Sequence, residues 1–264
     1  MKKQIHLYVA FFLFLLIPFG SVSQITWPNG AKAAICLTYD DGLDCHLDVA
    51  VPQLHEFGLK GTFFCPGHSA SLFNRMDEWR QIIENGHELG NHSLFHPCDG
   101  NIEGRDWVKP EYDLNNYTLE QIATELRVAN TLLKAVDGKR IRTYGYTCSD
   151  FKADGVNFTG TIKNMFAAAR NDGSIPKSMD GYDIHKTPSW CVDGHKAEDL
   201  IAYVEKARDN GTIAIFMFHS VEGSYLNVSA EDHKKLLQYI SDNQKDYYCS
   251  TFMEVMEYIS ENRK

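Results

Sequence analysis

ICLTYDDG, residues 35–42, joins a short run of mostly apolar residues to two adjacent acids and a glycine. The pattern predicts a buried strand that ends in a surface turn and places Asp40 and Asp41 there. Adjacent carboxylates repel each other and are costly to desolvate, so the pair indicates a nearby cation or two different roles. A bound metal ion would account for both, and an ordinary acidic turn is the alternative.

Two histidines about fifty residues later strengthen the case for a metal site. His92 and His96 stand four residues apart in GNHSLFH, residues 90–96. This spacing predicts that both imidazoles lie on one face of a helical turn and bind one ion together with Asp41. Two nitrogens and one oxygen would leave positions open for water and substrate, as in catalytic sites. Two unrelated surface histidines are the alternative interpretation.

The chain contains three short motifs in the order TYDDG at 38–42, HSLFH at 92–96 and FH at 218–219. In order and spacing they resemble motifs of the polysaccharide deacetylase superfamily, the NodB-homology or carbohydrate esterase family 4 enzymes. The resemblance extends from about Ala33 to about Cys249. It implies an α/β fold, a distorted (β/α) barrel of about seven parallel strands, and metal-dependent removal of acetyl groups from sugars.

The resemblance also implies a role for each residue of these motifs. Asp41, His92 and His96 would bind the ion, which would acidify water and polarise the acetyl carbonyl. Asp40 would take the proton of this water as general base, and His219 would protonate the leaving group as general acid. Alternatively, Asp40 orients a ligand histidine and His219 is a core histidine. Zinc is the predicted metal, but the same ligands suit cobalt, nickel and iron.

The chain departs from the family at RTYGYTCS, residues 142–149. The family motif at this point carries an arginine that orients the catalytic acid and a backbone N–H that stabilises the oxyanion. A gapless match places Gly145 at the position of that arginine, so a catalytic role of Arg142 stays open. The backbone N–H of Cys148 is the predicted oxyanion donor, because a main-chain donor survives replacement of its side chain.

Aromatic residues are predicted to line the cleft. The segment 97–117 is a long connection that starts directly after the histidine pair, so we expect it to form one wall of the site. Its Trp107 and Tyr112 would stack on sugar rings or, alternatively, pack the segment onto the barrel. A later family motif contributes an aspartate and a tryptophan, for which Trp190 and Asp193 are the nearest equivalents, in reversed order.

Three classes of function remain open. The first is the deacetylase, whose substrate would be an acetylated carbohydrate with an N- or O-linked acetyl group. The second is a catalytically weak or inactive carbohydrate-binding protein derived from a deacetylase. The third is a metal-dependent hydrolase of another bond, such as a phosphoester. It ranks last because Arg142 is the only basic residue that stands out near the motifs.

The first 23 residues have the pattern of a secretory signal peptide. Lys2 and Lys3 precede an apolar run, and small residues follow it at Ser21 and Ser23. The run is short for a membrane span, although an uncleaved anchor is the alternative. The sequence thus predicts a single domain, residues 24–264, that is exported to the periplasm or secreted and has no membrane insertion after cleavage.

Composition limits the partners. The formal charge is −9, and removal of the signal segment with its two lysines would make it −11. Such an acidic protein is not expected to bind nucleic acid or anionic membranes. The seven cysteines show no Cys-x-x-Cys, and their odd number leaves at least one unpaired. Cys36 and Cys65 are predicted to be buried within strands, and the pairings of the others stay open.

Elsewhere the sequence predicts strands that alternate with helices, as in a parallel α/β fold. Thr118 and Gln121 form a predicted capping box at the start of a helix that ends at Gly138. Beyond this helix, strands are predicted at residues 140–146, 165–169, 183–186 and 213–219.

Overall fold

A ring of parallel strands surrounded by helices forms the centre of the molecule. The computed structural model describes residues 25–262, so the predicted signal segment, residues 1–23, lies outside the described residues. The strands of the ring are β1 (Ala33–Asp40), β2 (Thr62–Cys65), β3 (Glu88–Asn91), β4 (Thr143–Gly145), β5 (Ala168–Asp172), β6 (Thr187–Cys191) and β7 (Ile213–Phe218). A further strand, β8 (Tyr247–Cys249), joins β1 from outside the ring.

The ring closes at β1, which pairs with other strands along both of its edges. Residues 34–39 of β1 pair in parallel with residues 213–218 of β7. On the other edge, residues 33–35 pair with β8 and residues 38–40 pair with β2. The order β1 to β7 and back to β1 confirms the predicted α/β fold, a distorted (β/α) barrel of about seven parallel strands.

Helices cover the outside of the ring. Within the described residues they are α1 (Val51–Glu56), α2 (Ala70–Asn74), α3 (Met76–Glu84), α4 (Leu119–Asp137), α5 (Thr159–Met165), α6 (Ala197–Asn210), α7 (Ala230–Asp242) and α8 (Phe252–Asn262). The predicted capping box of α4 is confirmed, since the side chains of Thr118 and Gln121 each accept from the other's backbone N–H. Gly138 ends this helix in the left-handed conformation, with φ of 74°.

The pleat of β1 divides its side chains between two apolar clusters. Leu37 and Tyr39 belong to the larger cluster, to which α1, α6 and α7 contribute. Cys36 belongs to a second cluster, to which α8 contributes. Asp40 lies on the same face of the strand as Cys36, so its carboxylate points into the ring at the carboxyl end of the strands. The predicted burial of Cys36 and Cys65 is confirmed.

Two of the predicted strands are displaced along the sequence. Residues 165–169 were expected to form one, but Met165 ends α5 and the strand is β5, Ala168–Asp172. Residues 183–186 were expected to form another, whereas β6 is Thr187–Cys191. Both strands carry polar residues on their inner face, among them Arg170 and Ser189, which interrupt the apolar pattern used to find strands. Within residues 25–262, no helix is long and apolar enough to cross a membrane.

Candidate active site

The carboxyl ends of the strands open into a cavity of about 1210 Å³. All six predicted metal-binding or proton-transfer and oxyanion residues other than Arg142 line it: Asp40, Asp41, His92, His96, Cys148 and His219. They lie at or just after the ends of β1, β3, β4 and β7. The carboxyl ends of parallel strands in a barrel meet at one rim, which brings together residues that are far apart in the sequence.

Asp41, His92 and His96 form a compact group of three candidate metal ligands. Asp41 Oδ1 lies 3.6 Å from His92 Nε2 and 3.4 Å from His96 Nε2. One ligand atom from each residue lies within 4.8 Å of the other two. Two ligands of a tetrahedral ion with bonds of about 2.1 Å are about 3.4 Å apart, so the donor atoms and their spacing fit a divalent cation.

The histidine pair lies in an irregular loop, so the prediction of a helical turn is wrong. Ser93 and His96 have positive φ values of 63° and 56°, which a right-handed helix excludes. Asn91 Oδ1 accepts from the N–H of Ser93 at 2.7 Å, and Ser93 Oγ accepts from the N–H of His96 at 2.8 Å. These side-chain acceptors, together with Glu125, replace the hydrogen bonds of a helix and turn both rings toward Asp41.

The ring of His92 is oriented and neutral. Its Nδ1 lies 2.8 Å from the carbonyl oxygen of Gly145. Because a carbonyl only accepts, Nδ1 carries the proton and Nε2 keeps its lone pair directed at the Asp41 carboxylate. Burial lowers the pKa of His92 to about 4, against a partial opposing effect of Asp40, so the ring is uncharged at neutral pH. A neutral imidazole is the form that binds metals.

Asp41 occupies an unusual backbone conformation and stays ionised. Its φ is 76°, a left-handed value that costs a non-glycine residue on the order of 1 kcal/mol or more. Burial raises the pKa of Asp41, but His96, His92, His219 and the Tyr225 hydroxyl outweigh this effect and lower the pKa to about 2. The Tyr225 hydroxyl donates to Asp41 Oδ2, which leaves Oδ1 for the histidine side.

Asp40 is buried in the ring next to this group. Its Oδ2 lies 3.7 Å from His92 Nε2 and accepts a hydrogen bond from Arg170 Nη2 at 2.5 Å. Within the described part of the chain, its Oδ1 is buried and has no hydrogen-bond partner. The sequence patterns did not single out Arg170, although an arginine at the end of the apolar run 165–169 was a signal of a buried partner.

His219 follows β7 and borders the cavity, with 9% of its surface exposed. Its carbonyl oxygen lies 2.7 Å from His46 Nε2, and its ring Nδ1 has no partner among the residues that the structure describes. Trp190 and Asp193 do not line the cavity that His219 borders. Trp190 packs on Tyr203 with ring centroids 4.8 Å apart, and Asp193 accepts from a backbone N–H at residue 227.

Arg142 does not reach the cavity. It precedes β4 and therefore lies at the amino end of the barrel, away from the rim that carries the other candidates. Its guanidinium donates to both carboxylate oxygens of Asp137, at 2.5 and 3.0 Å, and to the carbonyl oxygens of Leu89 and Lys139. The role that the sequence left open for Arg142 therefore has no support in its position, since Arg142 does not border the cavity.

Cys148 borders the cavity and is covalently tied to the loop of the histidine pair. It forms a disulfide with Cys98, a pairing that the sequence left open. Thr147 Oγ1 also donates to the carbonyl oxygen of Pro97 at 2.6 Å, and Arg105 Nη2 donates to the carbonyl oxygen of Cys148 at 2.9 Å. The loop after β4 and the start of segment 97–117 thus form one connected wall.

Aromatic side chains cover part of this wall. Trp107 and Tyr112 border the cavity, and Trp107 is 60% exposed. Phe95 stacks on Tyr112 with ring centroids 5.5 Å apart and is itself 40% exposed. Tyr112 therefore packs the segment onto the histidine loop, while Trp107 presents a free ring to the cavity.

Comparisons with known proteins agree with this architecture. The family model described as polysaccharide deacetylase matches residues 28–159, half of the chain. A chitooligosaccharide deacetylase from Azorhizobium caulinodans is 26% identical over 196 residues, which cover 69% of this chain and 89% of that protein. A gellan lyase from a Bacillus species is 23% identical over 173 residues, 66% of this chain but only 6% of the lyase.

Solved structures share the fold. A putative polysaccharide deacetylase from Mycobacterium smegmatis has a TM-score of 0.66 and 16% identity, over 90% of this chain and 94% of that one. An acetyl xylan esterase from Clostridium thermocellum, in complex with a cobalt ion, has a TM-score of 0.56 and 18% identity, over 87% of this chain and 96% of that one. A pseudoenzyme of carbohydrate esterase family 4 from Bacillus anthracis has a TM-score of 0.52 and 15% identity, over 86% of this chain and 66% of that one. With the family match over half of its length, the chain belongs to the polysaccharide deacetylase family.

Proposed function

We propose that this protein is a metal-dependent hydrolase that removes acetyl groups from an oligosaccharide or polysaccharide. The observation that carries the proposal is the meeting of Asp41, His92 and His96 beside the separate acid Asp40 and the separate histidine His219 in one cavity. A structural metal site has no need of the last two groups. Membership in the polysaccharide deacetylase family and the similarity to a chitooligosaccharide deacetylase support the substrate class.

Asp41, His92 and His96 are the proposed metal ligands. Two imidazole nitrogens and one carboxylate oxygen suit zinc, which we propose, and equally cobalt, nickel or iron. A divalent cation bound there would acidify water and polarise the acetyl carbonyl. The left-handed backbone of Asp41 and the hydrogen bond of its Oδ2 to Tyr225 orient its Oδ1 toward both rings.

The chain's own residues would move the protons. Asp40 Oδ1, buried and without a partner among the described residues, is the proposed acceptor of the proton of the attacking water. His219 is the proposed donor to the leaving nitrogen or oxygen, from a ring that borders the same cavity. The backbone N–H of Cys148 is the proposed donor to the oxyanion, in a loop that the disulfide to Cys98 immobilises.

We also propose that the chain acts outside the cytoplasm, in the periplasm or after secretion. The disulfide between Cys98 and Cys148 supports this location, because the cytosol keeps thiols reduced. The acidic composition, with a formal charge of −9, supports a neutral carbohydrate as the partner rather than nucleic acid.

A carbohydrate-binding protein of deacetylase origin is the second candidate. It is favoured by the glycine at position 145, where the family motif has an arginine. The exposed Trp107 would serve such a protein equally well, because a free aromatic ring binds sugar with or without catalysis. Calorimetric binding of an acetylated oligosaccharide without any acetate release would favour this candidate.

The test is acetate release from a panel of acetylated carbohydrates. N-acetylated chitooligosaccharides, peptidoglycan and acetylated xylan would be incubated with metal-stripped protein and with protein restored with zinc or cobalt. We expect release from at least one polymer, only after restoration. His96→Ala is expected to weaken zinc binding by at least about 100-fold, whereas His195→Ala, at a ring that packs on Trp190 away from the cavity, should bind zinc normally. Release that is undiminished in the stripped protein would contradict the proposal.

A further inference from the structure

Arg170 lies on the inner face of β5, in the layer of the ring that contains Asp40. It is completely buried, and its guanidinium lies over the ring of Phe64, 4.9 Å from the centroid. Nη2 donates to Asp40 Oδ2 at 2.5 Å, and Nη1 donates to Ser189 Oγ at 3.0 Å. Ser189 is fixed in turn by its hydrogen bond to the carbonyl oxygen of Asn171 at 2.7 Å. The guanidinium is therefore oriented by two strands, β5 and β6.

The contact with Arg170 uses only one of the two oxygens of Asp40. Oδ2 accepts from the guanidinium, while Oδ1 is buried without a partner within the described part of the chain. A buried carboxylate normally satisfies both oxygens, because an unpaired one forfeits its solvation. An oxygen left free beside the cavity is what a proton acceptor requires, and the paired oxygen fixes the rotation of the group.

The position of Arg170 depends on Gly145. Gly145 pairs with Arg170 in the register of β4 and β5. A Cβ atom on Gly145 would lie 3.0 Å from Arg170 Nη2, 3.0 Å from Phe64 Cγ and 3.1 Å from His92 Nδ1. These separations are shorter than ordinary van der Waals contacts, so a side chain at position 145 would displace the guanidinium. The absence of a side chain at Gly145 and the presence of an arginine on the adjacent strand are thus two parts of one arrangement.

A purely structural ion pair looks different elsewhere in this barrel. Arg142 and Asp137 are also buried, but there the guanidinium contacts both carboxylate oxygens and two carbonyl oxygens. Asp137 Oδ1 accepts in addition from the N–H of Lys139 at 2.9 Å. That pair leaves no carboxylate oxygen free, and it lies at the amino end of the barrel. It therefore provides a matched control for the pair of Arg170 and Asp40.

We propose that Arg170 is the positioning residue for Asp40, and that Gly145 provides the space for it. In this chain the orienting guanidinium comes from β5 and not from β4, where the family motif has its arginine. Arg170 fixes Oδ2 and thereby leaves Oδ1, which has no partner among the described residues, to accept the proton of water. This inference rests on the proposed function for its kinetic consequences, but the orientation of Asp40 can be measured independently of activity.

The kinetic test compares Arg170→Met and Arg170→Lys with the control Arg142→Met. Arg170→Met is expected to lower kcat about 10- to 100-fold, with KM and zinc affinity within about threefold of wild type. Arg170→Lys keeps a cation but loses the planar, forked geometry of the guanidinium, so its kcat should lie between those of wild type and Arg170→Met. Arg142→Met is expected to lower the melting temperature while kcat per folded molecule stays within about threefold. Equal losses of kcat in both arginine variants would overturn the proposal.

A double-mutant cycle separates positioning from general destabilisation. Asp40→Asn is expected to lower kcat by about 10²- to 10⁴-fold, and Arg170→Met added to it should lower kcat by less than about threefold more. A full additional loss would show that Arg170 does not act through Asp40. Gly145→Ala, whose backbone conformation is open to any residue, should lower kcat although Arg170 is still present. An unchanged kcat in Gly145→Ala would contradict the spatial part of the inference.

Crystal structures of the metal-free variants supply the readout besides activity. In Arg170→Met the Asp40 carboxylate should leave its present orientation, whereas in Arg142→Met it should keep it. An Asp40 carboxylate that does not move in Arg170→Met overturns the inference even if the enzyme proves inactive on every substrate. If the wild-type protein releases acetate but the Asp40 carboxylate does not move in Arg170→Met, the inference is refuted and the proposed function still stands.

Discussion

The Nδ1 atom of His92 lies 2.8 Å from the carbonyl oxygen of Gly145, so β4 orients a ring that belongs to the loop after β3. Gly145 thus adjoins two residues of the site. Its carbonyl oxygen accepts from His92, and its lack of a side chain leaves space for the guanidinium of Arg170. One candidate metal ligand, His92, and Arg170, which pairs with the candidate base Asp40, therefore both adjoin the same residue of one short strand. Substitutions in β4 are therefore expected to affect metal binding and proton transfer together.

His219→Gln should separate substrates by the quality of their leaving group. An amine or sugar hydroxyl needs a proton to leave, whereas the nitrophenolate of 4-nitrophenyl acetate does not. We expect kcat for an N-acetylated oligosaccharide to fall at least about 100-fold, and for the aryl ester less than about fivefold. Asp40→Asn is the control, because loss of the base should slow both substrates alike. Equal losses for both substrates in His219→Gln would argue against its role as acid.

Tyr225→Phe should weaken metal binding without removing a ligand. The Tyr225 hydroxyl donates to Asp41 Oδ2. Burial raises the pKa of this carboxylate, and the hydroxyl helps His96, His92 and His219, whose effects are larger, to lower it. Loss of such an orienting hydrogen bond typically costs about 10- to 100-fold in metal affinity. Titration calorimetry with zinc would measure it. Tyr239→Phe, which loses a hydroxyl bonded to Glu205 outside the cavity, should bind zinc as wild type does.

The disulfide should contribute substantially to stability. It joins residues 50 positions apart, and the chain-entropy relation for a loop of this length gives about 4 kcal/mol. We expect the double variant Cys98→Ser/Cys148→Ser to lose about 2–4 kcal/mol of unfolding free energy in urea. A reductant should bring the wild type to the value of the variant and leave the variant unchanged. A wild type indifferent to reductant would show that the bond contributes little.

The metal-free protein should begin to lose stability as the pH falls below 6.5, which is well above the pH range in which carboxylates titrate. Burial is the main cause that lowers the pKa of His46 to about 4, and of His87 and His233 to about 3, from 6.5. At pH values between these lowered pKa values and 6.5, the histidines of the unfolded chain bind more protons than those of the folded chain. The contribution of the neutral rings is complete above pH 6.5 and is lost as the pH falls, by up to about 1.4 kcal/mol per pH unit for each ring.

The measurement is urea unfolding between pH 4 and pH 8 in the presence of a chelator, which removes the effect of metal release. His233 is bonded to Gln53 and to the Tyr39 hydroxyl, so His233→Gln keeps polar partners but cannot be protonated. Its unfolding free energy should depend less steeply on pH between 6.5 and 4 than that of wild type. An unchanged slope would exclude His233 as one of the titrating groups.

The positions of the barrel strands and of the candidate ligands were open to prediction because they follow simple patterns. Apolar runs that end in polar residues mark strands that end at the rim, and both β1 and β7 have this form. The loop of His92 and His96 was predicted as a helical turn from the i, i+4 spacing, which does not by itself determine the backbone conformation. Its actual shape depends on local hydrogen bonds to the side chains of Asn91 and Ser93 and on a tertiary contact with Glu125, about 30 residues away along the chain.

The partner of Arg170 and the pairing of the disulfide could not be predicted from the sequence for a different reason. The partner of Arg170 is Asp40, 130 residues away, and the pair is decided by the closure of the ring. Likewise Cys98 and Cys148 meet because segment 97–117 folds back onto the loop after β4. The role of Arg142 stayed open in the sequence because Arg142 is close to the motif along the chain, although a strand separates it from the rim.

β1 is paired along residues 34–39 with β7, which begins at Ile213. A chain that ends before Ile213 lacks the strand that covers this whole edge, so the ring cannot close before β7 has been made. Pairing over so many intervening residues is a late and slow event in folding. The order of synthesis therefore delays assembly of the candidate site until β7 has emerged.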